Sequence, residues 1–404
     1  MRLQNARRCR VRAMASETAR RPRHKLRVPR ARRGDVRILV GTRKGAFVVH
    51  GDAERRRFTV DPDPWHLGST VFHVATDPRS KDGSRILAAL RTPDGLPTVV
   101  HSDDGGARWQ ESAAPPRFSE ETGGSAGPSR FDRTVNQVFW LTPGHRLRPG
   151  SWFAGTSPQG LFHTEDHGRT WEPVLGLHHH PSFDAWTRPD EQRTPDGAKL
   201  HSILVDPRDA DHLYAALSAG AVLESRDGGL GWAPVGELPE GAGSPHALAF
   251  APTDPDLLWL QARGGVYRCN LDEGEVWERA GPRADDGTWL DAGFPVATHP
   301  SDPDAAYLVP MDSSDAWSRT SPGGRPAVFR TRDRGATWQR IERGFPKAPS
   351  WWTVKRQCLA VDGHDPLGVY FGTSSGEIWG SRDEGSSFFQ VARGLPHIYS
   401  LEVG

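Results

Sequence analysis

At 404 residues and 36% hydrophobic content the chain can bury a large layered core, and its 44 glycines and 34 prolines call for many turns. No apolar run reaches the roughly 18 residues of a membrane span, and three cysteines (Cys9, Cys269, Cys358) without metal spacing or even number argue against a disulfide or zinc framework. The net charge of +1 conceals an asymmetry: residues 1–34 hold twelve Arg, one Lys and one Glu, so the remainder carries about −11.

Residues 1–35 lack the apolar segment of a secretory signal. They read as a disordered Arg-rich extension, with the true start at Met14 or later; the other readings are a transit peptide or an arm for nucleic acid or another acidic partner. From residue 36 onward one unit recurs. It holds an apolar strand A ("VFHVATDPRS", "SILVDPRDAD", "ALAFAPTDPD", "PVATHPSDPD"), strands B and C around a short Gly loop ("RILVGTRKGAFVV", "WFAGTSPQGLFHT", "LYAALSAGAVLES", "VYFGTSSGEIWGS"), and a short strand D.

Strands C and D are joined by an eight-residue box: "SDDGGARW" (102–109), "TEDHGRTW" (164–171), "SRDGGLGW" (225–232), "TRDRGATW" (331–338) and "SRDEGSSF" (381–388). "NLDEGEVW" (270–277) is a worn copy, and "GDAERRRF" (51–58) is a poorer one with an insertion. The box aspartates are Asp104, Asp166, Asp227, Asp272, Asp333 and Asp383. Ser or Thr and Asp bond backbone groups inside the turn, Gly takes a positive φ, and the Trp or Phe packs between sheets. Repetition makes these aspartates structural rather than catalytic. Seven units spaced by 45 to 62 residues predict an all-β, seven-bladed β-propeller over residues 36–404. The chain enters on a B strand and ends on "PHIYSLEVG", which is similar to the A strand "PHALAFAP". The C-terminal strand is thus expected to complete the first blade and close the ring.

The S/T-x-D-x-G-x-x-W boxes resemble the Asp-box, or bacterial neuraminidase repeat (BNR). From about residue 36 the chain is similar to single-propeller bacterial BNR-repeat proteins, often labelled glycosyl hydrolase or exo-alpha-sialidase-like. "LVGTRKGAFVV", "HVATDPR", "HSDDGGARW" and "LHSILVDPRD" carry that likeness. The resemblance implies a carbohydrate-like ligand. For sialidase chemistry it would require arginines for a sugar carboxylate, a Tyr activated by Glu, and an acid. Arg43, Arg91, Arg263 and Arg356 are the candidate arginines, Tyr399 with Glu377 the candidate pair. The sialidase F/Y-R-I-P signature is absent; "GGRPAVFR" does not match it.

Alternate loops of an antiparallel blade fall on opposite faces. The short A–B turns and the boxes share one face. The long segments 61–71, 111–134, 175–199, 281–293, 311–326 and 343–354 share the other, where sites tend to lie. Trp65, Trp186, Trp289, Trp317, Trp351 and Trp352 fall there, either as sugar-stacking rings or as caps on the core. Asp184, Asp190, Glu191, Asp291, Asp312 and Asp315 are the loop carboxylates from which a glycosidase pair would come, with surface charge as the other reading. His178–His180 with Asp184 lacks the spacing of a metal site, so no metal or other cofactor is expected. His73, His201 and His246 lie at similar places on three A strands, lining the channel or bracing it. The expected ligand-binding set is Arg43, Arg91, Arg263, Arg356, His73, His201, His246, Trp317 and Trp352, and the catalytic candidates are Tyr399, Glu377, Asp312 and Asp184. The expected protein is a cytoplasmic monomer with no membrane contact. Its long-loop face binds, and by resemblance hydrolyses, a carbohydrate-like ligand; the alternative is a non-catalytic scaffold for a protein partner.

Overall fold

The stretch VRILVGT, a two-residue turn and GAFVVHG form strands Val36–Thr42 and Gly45–Gly51, registered from Val36 opposite Gly51 to Thr42 opposite Gly45. β-branched and aromatic residues in alternation, cut by Gly turns, produce this hairpin, and the chain repeats it round a ring. The computed structural model describes residues 34–118, 134–187, 198–312 and 319–404. The expected basic extension lies outside the described residues apart from its last two positions, and Trp317, Asp190, Glu191 and Asp315 lie outside them altogether.

Seven four-stranded antiparallel sheets make a seven-bladed β-propeller. The inner strands are Ile398–Val403, Thr70–Thr76, Gln137–Pro143, Leu200–Val205, Pro245–Ala251, Gly293–Thr298 and Leu359–Val361, for blades 1 to 7. Blade 1 is closed by the C-terminal strand as expected: Ile38 lies opposite Val403 and Val40 opposite Leu401. Arg55 adds a polar clasp between the first and last blades, donating to Pro366 O at 2.8 Å and Asp362 Oδ2 at 3.3 Å. Among the described residues no helix is long and apolar enough to cross a membrane.

The five full boxes share one hydrogen-bond plan. Ser102, Thr164, Ser225, Thr331 and Ser381 each donate from Oγ to the box aspartate at 2.7–2.9 Å. Each hydroxyl also accepts from the box glycine N–H, at 2.8–3.2 Å. That glycine has φ between +76° and +99°, a region costly for other residues. The fifth blade is built differently. Asn270 Oδ1 accepts from Asp272 N at 3.3 Å, so Asp272 contributes its backbone rather than its carboxylate. In the first blade Asp52 does the work of a box aspartate, accepting from Arg56 N and Arg57 N.

Apolar clusters lie between consecutive sheets. Ala89 and Val99 of blade 2 meet Trp152 and Phe162 of blade 3, and Tyr214 and Val222 of blade 4 meet Leu258 and Tyr267 of blade 5. Burying such rings between blades stabilises each by about 1.5–3 kcal/mol. Polar staples join the inner strands: Leu141 N donates to His73 Nδ1, Leu248 N to Ser202 Oγ, and Thr142 Oγ1 to Ile203 O, each at 2.8 Å. His73 is therefore a brace between blades 2 and 3, and burial lowers its pKa to about 3, which keeps it a neutral acceptor.

Candidate functional site

The long loops gather at the end of the channel where the inner strands begin. There the inner strands of six blades slip register against strand B, between Val71 and His73, Val138 and Trp140, His201 and Ile203, Pro245 and Ala247, Gly293 and Val296, and opposite Gly41–Thr42 at Tyr399. A bulge leaves its extra residue unpaired and re-aims the side chain. The residues so placed include Phe72, Phe139, His246, Phe294 and Tyr399. They form an aromatic collar in neighbouring pairs: Phe72 with Tyr399 at 5.4 Å, Phe139 with His201 at 6.1 Å, and His246 with Phe294 at 4.8 Å between centroids.

Cations stand over this collar. Arg356 lies 4.7 Å from the Phe294 ring and 6.0 Å from that of Phe139. Lys199 is 5.4 Å from Phe139, while Arg319 and Lys355 are 5.7 and 5.9 Å from Phe294. Arg91 sits 5.6 Å over Phe72 and donates to Asn136 O. Gln357, from blade 7, crosses the axis and donates from Nε2 to Phe139 O of blade 3 at 2.6 Å. The segment 355–357 thus floors the mouth, and the channel end becomes a cup. His201 and His246 are buried in its wall. Burial, followed by the charge of Arg356, holds both imidazoles well below their usual pKa, so both are neutral.

A cleft of about 340 Å³ opens beside the cup and shares Arg319 with it; Arg263, Arg279, Trp289, Asp291 and Asp312 also line it. Asp291 is spent on structure: its carboxylate takes Arg279 in two bonds of 2.7 and 3.0 Å and also accepts from Val266 N. Asp312 differs, because its Oδ1 is buried without a hydrogen-bond partner. Arg279 and Arg283 lie 4.0 and 3.6 Å from the Trp289 centroid. Two guanidinium groups that close must occupy opposite faces, so the ring is sandwiched and has no open face for a sugar.

The other candidates are dispersed. Trp352 is buried among Phe345, Phe371 and Trp379, a core position rather than a ligand-facing one. Trp65 packs on Trp109, and Trp186 stacks on His180 at 4.2 Å. Trp351 is 59% exposed, over Gly324 at the rim. Tyr399 stays in the collar, against Phe72 and His397. Glu377 turns toward strand D, accepting from Trp379 Nε1 and Gln390 Nε2, so the Tyr399–Glu377 pairing is not made. Asp184 sits on the short helix Phe183–Thr187. His178 is buried against Phe118, Phe162 and Phe183 and accepts from Leu161 N, a core role. Arg43 is exposed in the B–C turn of blade 1. Among the described residues no group of His, Cys, Asp and Glu could hold a metal ion. Sequence reasoning passed over Lys199, Arg319, Lys355, Gln357 and the collar phenylalanines. The signal was present as an aromatic near the head of successive A strands: "VFHV", "VFWL", "PHAL", "GFPV", "IYSL".

Known proteins share this scaffold. Xyloglucanase Xgh74A of Acetivibrio thermocellus is 25% identical over 301 residues, 67% of this chain and 32% of that protein. A xyloglucanase of Paenibacillus sp is 31% identical over 157 residues, 37% of this chain and 15% of that protein. The chain spans about a third of the length of the first of these relatives. Among solved structures, the GH74 xyloglucanase of Xanthomonas campestris matches with a TM-score of 0.64 at 19% identity, over 88% of this chain and 52% of that one. No family model matches the chain. At such identity the likeness is one of fold.

Proposed function

We propose that the chain is a carbohydrate-binding propeller of glycoside-hydrolase type, whose ligand lies in the cleft of blades 5 and 6 and ends in the axial cup. The observation that carries this reading is that cleft, lined by Arg263, Trp289, Asp312 and Arg319 on a loop-built face raised by a rigid ring. The match to two xyloglucanases supports it. Asp312 is the acid to which hydrolysis is assigned, because it lines the cleft with a buried, unpartnered oxygen. A glycosidase needs a second carboxylate about 5–9.5 Å away, and Asp291 is already committed to Arg279.

The test is calorimetric titration of the chain with soluble glycan oligosaccharides, xyloglucan fragments first, together with reducing-end release. Binding with release, and release reduced about a hundredfold or more in Asp312→Asn at unchanged affinity, is the expected result. Binding without release leaves a binding propeller and removes the hydrolase part. A chain that takes up no glycan of any class returns the long-loop face to the scaffold reading.

A further inference from the structure

A second cleft, of about 610 Å³, lies on blade 6 and shares no lining residue with the first. Its walls are the turn 323–326, ahead of strand Val328–Thr331, and the segment 342–349, which follows strand Gln339–Ile341. Phe345 forms its floor and is fixed there, stacked on Phe388 at 4.9 Å and packed edge-on against Trp352, Phe371 and Trp379. Trp351 stands at the lip. Its ring runs so close to Gly324 that a Cβ there would come within 3.1 Å of it, yet the residue remains 59% exposed. The cleft is therefore preformed, and a ligand need not pay to order it.

The chemistry of the lining selects what fits. Arg325, Arg343 and Lys347 bring cations from both walls. All three are exposed, and none of their side chains has a hydrogen bond or ion pair with a described residue. The one carboxylate, Glu342, already accepts from Arg340 at 2.7 Å. No Ser, Thr, Asn, Gln or Asp lines the cleft, so its side chains donate hydrogen bonds and accept almost none. A sugar hydroxyl both donates and accepts, and a ring carrying several would leave its protons unpaired here. A carboxylate only accepts. Between the cations lie Phe345 and three prolines, with Trp351 above, a rigid apolar surface of the kind that takes aliphatic, aromatic or prolyl side chains. The body is acidic overall, about −11 beyond residue 34, so three cations gathered here run against its general sign. A long polyanion such as a nucleic acid is repelled along its length, whereas a short acidic segment meets only the cleft.

We infer that this cleft docks a short acidic peptide segment of a partner protein, its carboxylates held by Arg325, Arg343 and Lys347 and its apolar side chains set against Phe345 and Trp351. The inference goes beyond the carbohydrate reading and does not depend on it. The two clefts have separate linings, so either assignment stands if the other fails.

Fluorescence anisotropy of the full chain with labelled octapeptide pools tests it. The pools combine Glu/Asp with Leu/Phe/Pro, Glu/Asp with Ser/Gly, Lys/Arg with Leu/Phe/Pro, and Ser/Gly with Leu/Phe/Pro. The acidic–apolar pool should bind about tenfold more tightly than the other three and weaken as salt is raised. Arg343→Gln and Lys347→Gln should each weaken it about threefold. Trp351→Ala, and the variant combining Arg325→Gln, Arg343→Gln and Lys347→Gln, should each weaken it about tenfold or more. Arg108→Gln, exposed on the box face, should leave it unchanged. All four cleft positions are exposed, so the variants should keep the wild-type melt. Equal binding of the four pools overturns the inference, as does acidic–apolar binding untouched by the triple variant, or silence of every pool at millimolar concentration. An oligothymidylate or an oligogalacturonate that displaces the acidic–apolar pool and binds more tightly than it does overturns the peptide assignment. Displacement by a neutral xyloglucan oligosaccharide would make the cleft a glycan subsite and overturn it equally.

Discussion

Removing residues 397–404 should unfold the whole ring rather than loosen one edge. The last strand buries Ile398 and Leu401, which are 0% and 3% exposed, between blade 1 and its neighbours. Losing each such side chain costs about 2–5 kcal/mol. The truncation also strips the inner edge of Val36–Thr42 of its ladder partners. It further removes the bonds Arg43 N to His397 O, Leu401 N to Gln357 O, and the reciprocal pair between Arg37 and Gly404. At about 1 kcal/mol net for each backbone bond, the combined loss is roughly 10–15 kcal/mol, the size of a typical domain's entire stability. Thermal and urea melts followed by circular dichroism and tryptophan fluorescence provide the assay. Leu401→Ala should keep a single cooperative transition, lower by about 2–5 kcal/mol, while the truncated chain should show none. A cooperative melt of the truncated chain within a few degrees of the full-length midpoint would refute the closure argument.

Three further outcomes are expected. Asp166→Ala should cost about 1–3 kcal/mol in urea unfolding, because its carboxylate receives Arg169 N, Thr170 N and two hydroxyls, and it should leave ligand affinity unchanged; a neutral result would remove the box from the stability account. Glu402 lies on the closing strand, where burial raises its pKa from 4.5 to about 7. The folded state holds that proton more tightly than the unfolded chain, so its contribution is complete below pH 4.5 and is lost as pH rises through about 7, by roughly 3 kcal/mol. Glu402→Gln should therefore gain stability over wild type between pH 5 and about 8, and parallel stability–pH curves for the two proteins would contradict this. Gln357→Leu leaves Phe139 O without its cross-axis donor and should cost about 1–3 kcal/mol; an unchanged urea midpoint would mean that the strap is not a structural tie.

The blade count, the box geometry and the ring closure were legible because each rests on local chemistry written several times over. A turn such as Thr164–Trp171 needs a hydroxyl, a carboxylate, a glycine and a ring at fixed offsets, and those offsets survive in the string. Where the string wore, at residues 270–277, the position could be found but not the atoms: Asn270 had taken over as acceptor. The cup was hard to read for the opposite reason. Its floor depends on Gln357 meeting Phe139 across 218 residues and the channel axis, a relation with no local signature. Its walls depend on bulges, and a one-residue slip decides which side chain faces the axis. Thus His73, expected to be equivalent to His201 and His246, became a brace to Leu141, while Phe72 beside it took the collar place. The Tyr399–Glu377 pairing failed by the same logic, since Glu377 points along its own blade to Gln390. A repeat records what its blades have in common, whereas a site at the axis is made from what each blade does differently. Lys199, Arg263, Arg319 and Arg356 each occur once, in the connections rather than the strands. Only the closed ring brings Lys199, Arg319 and Arg356 to the rings of Phe139 and Phe294.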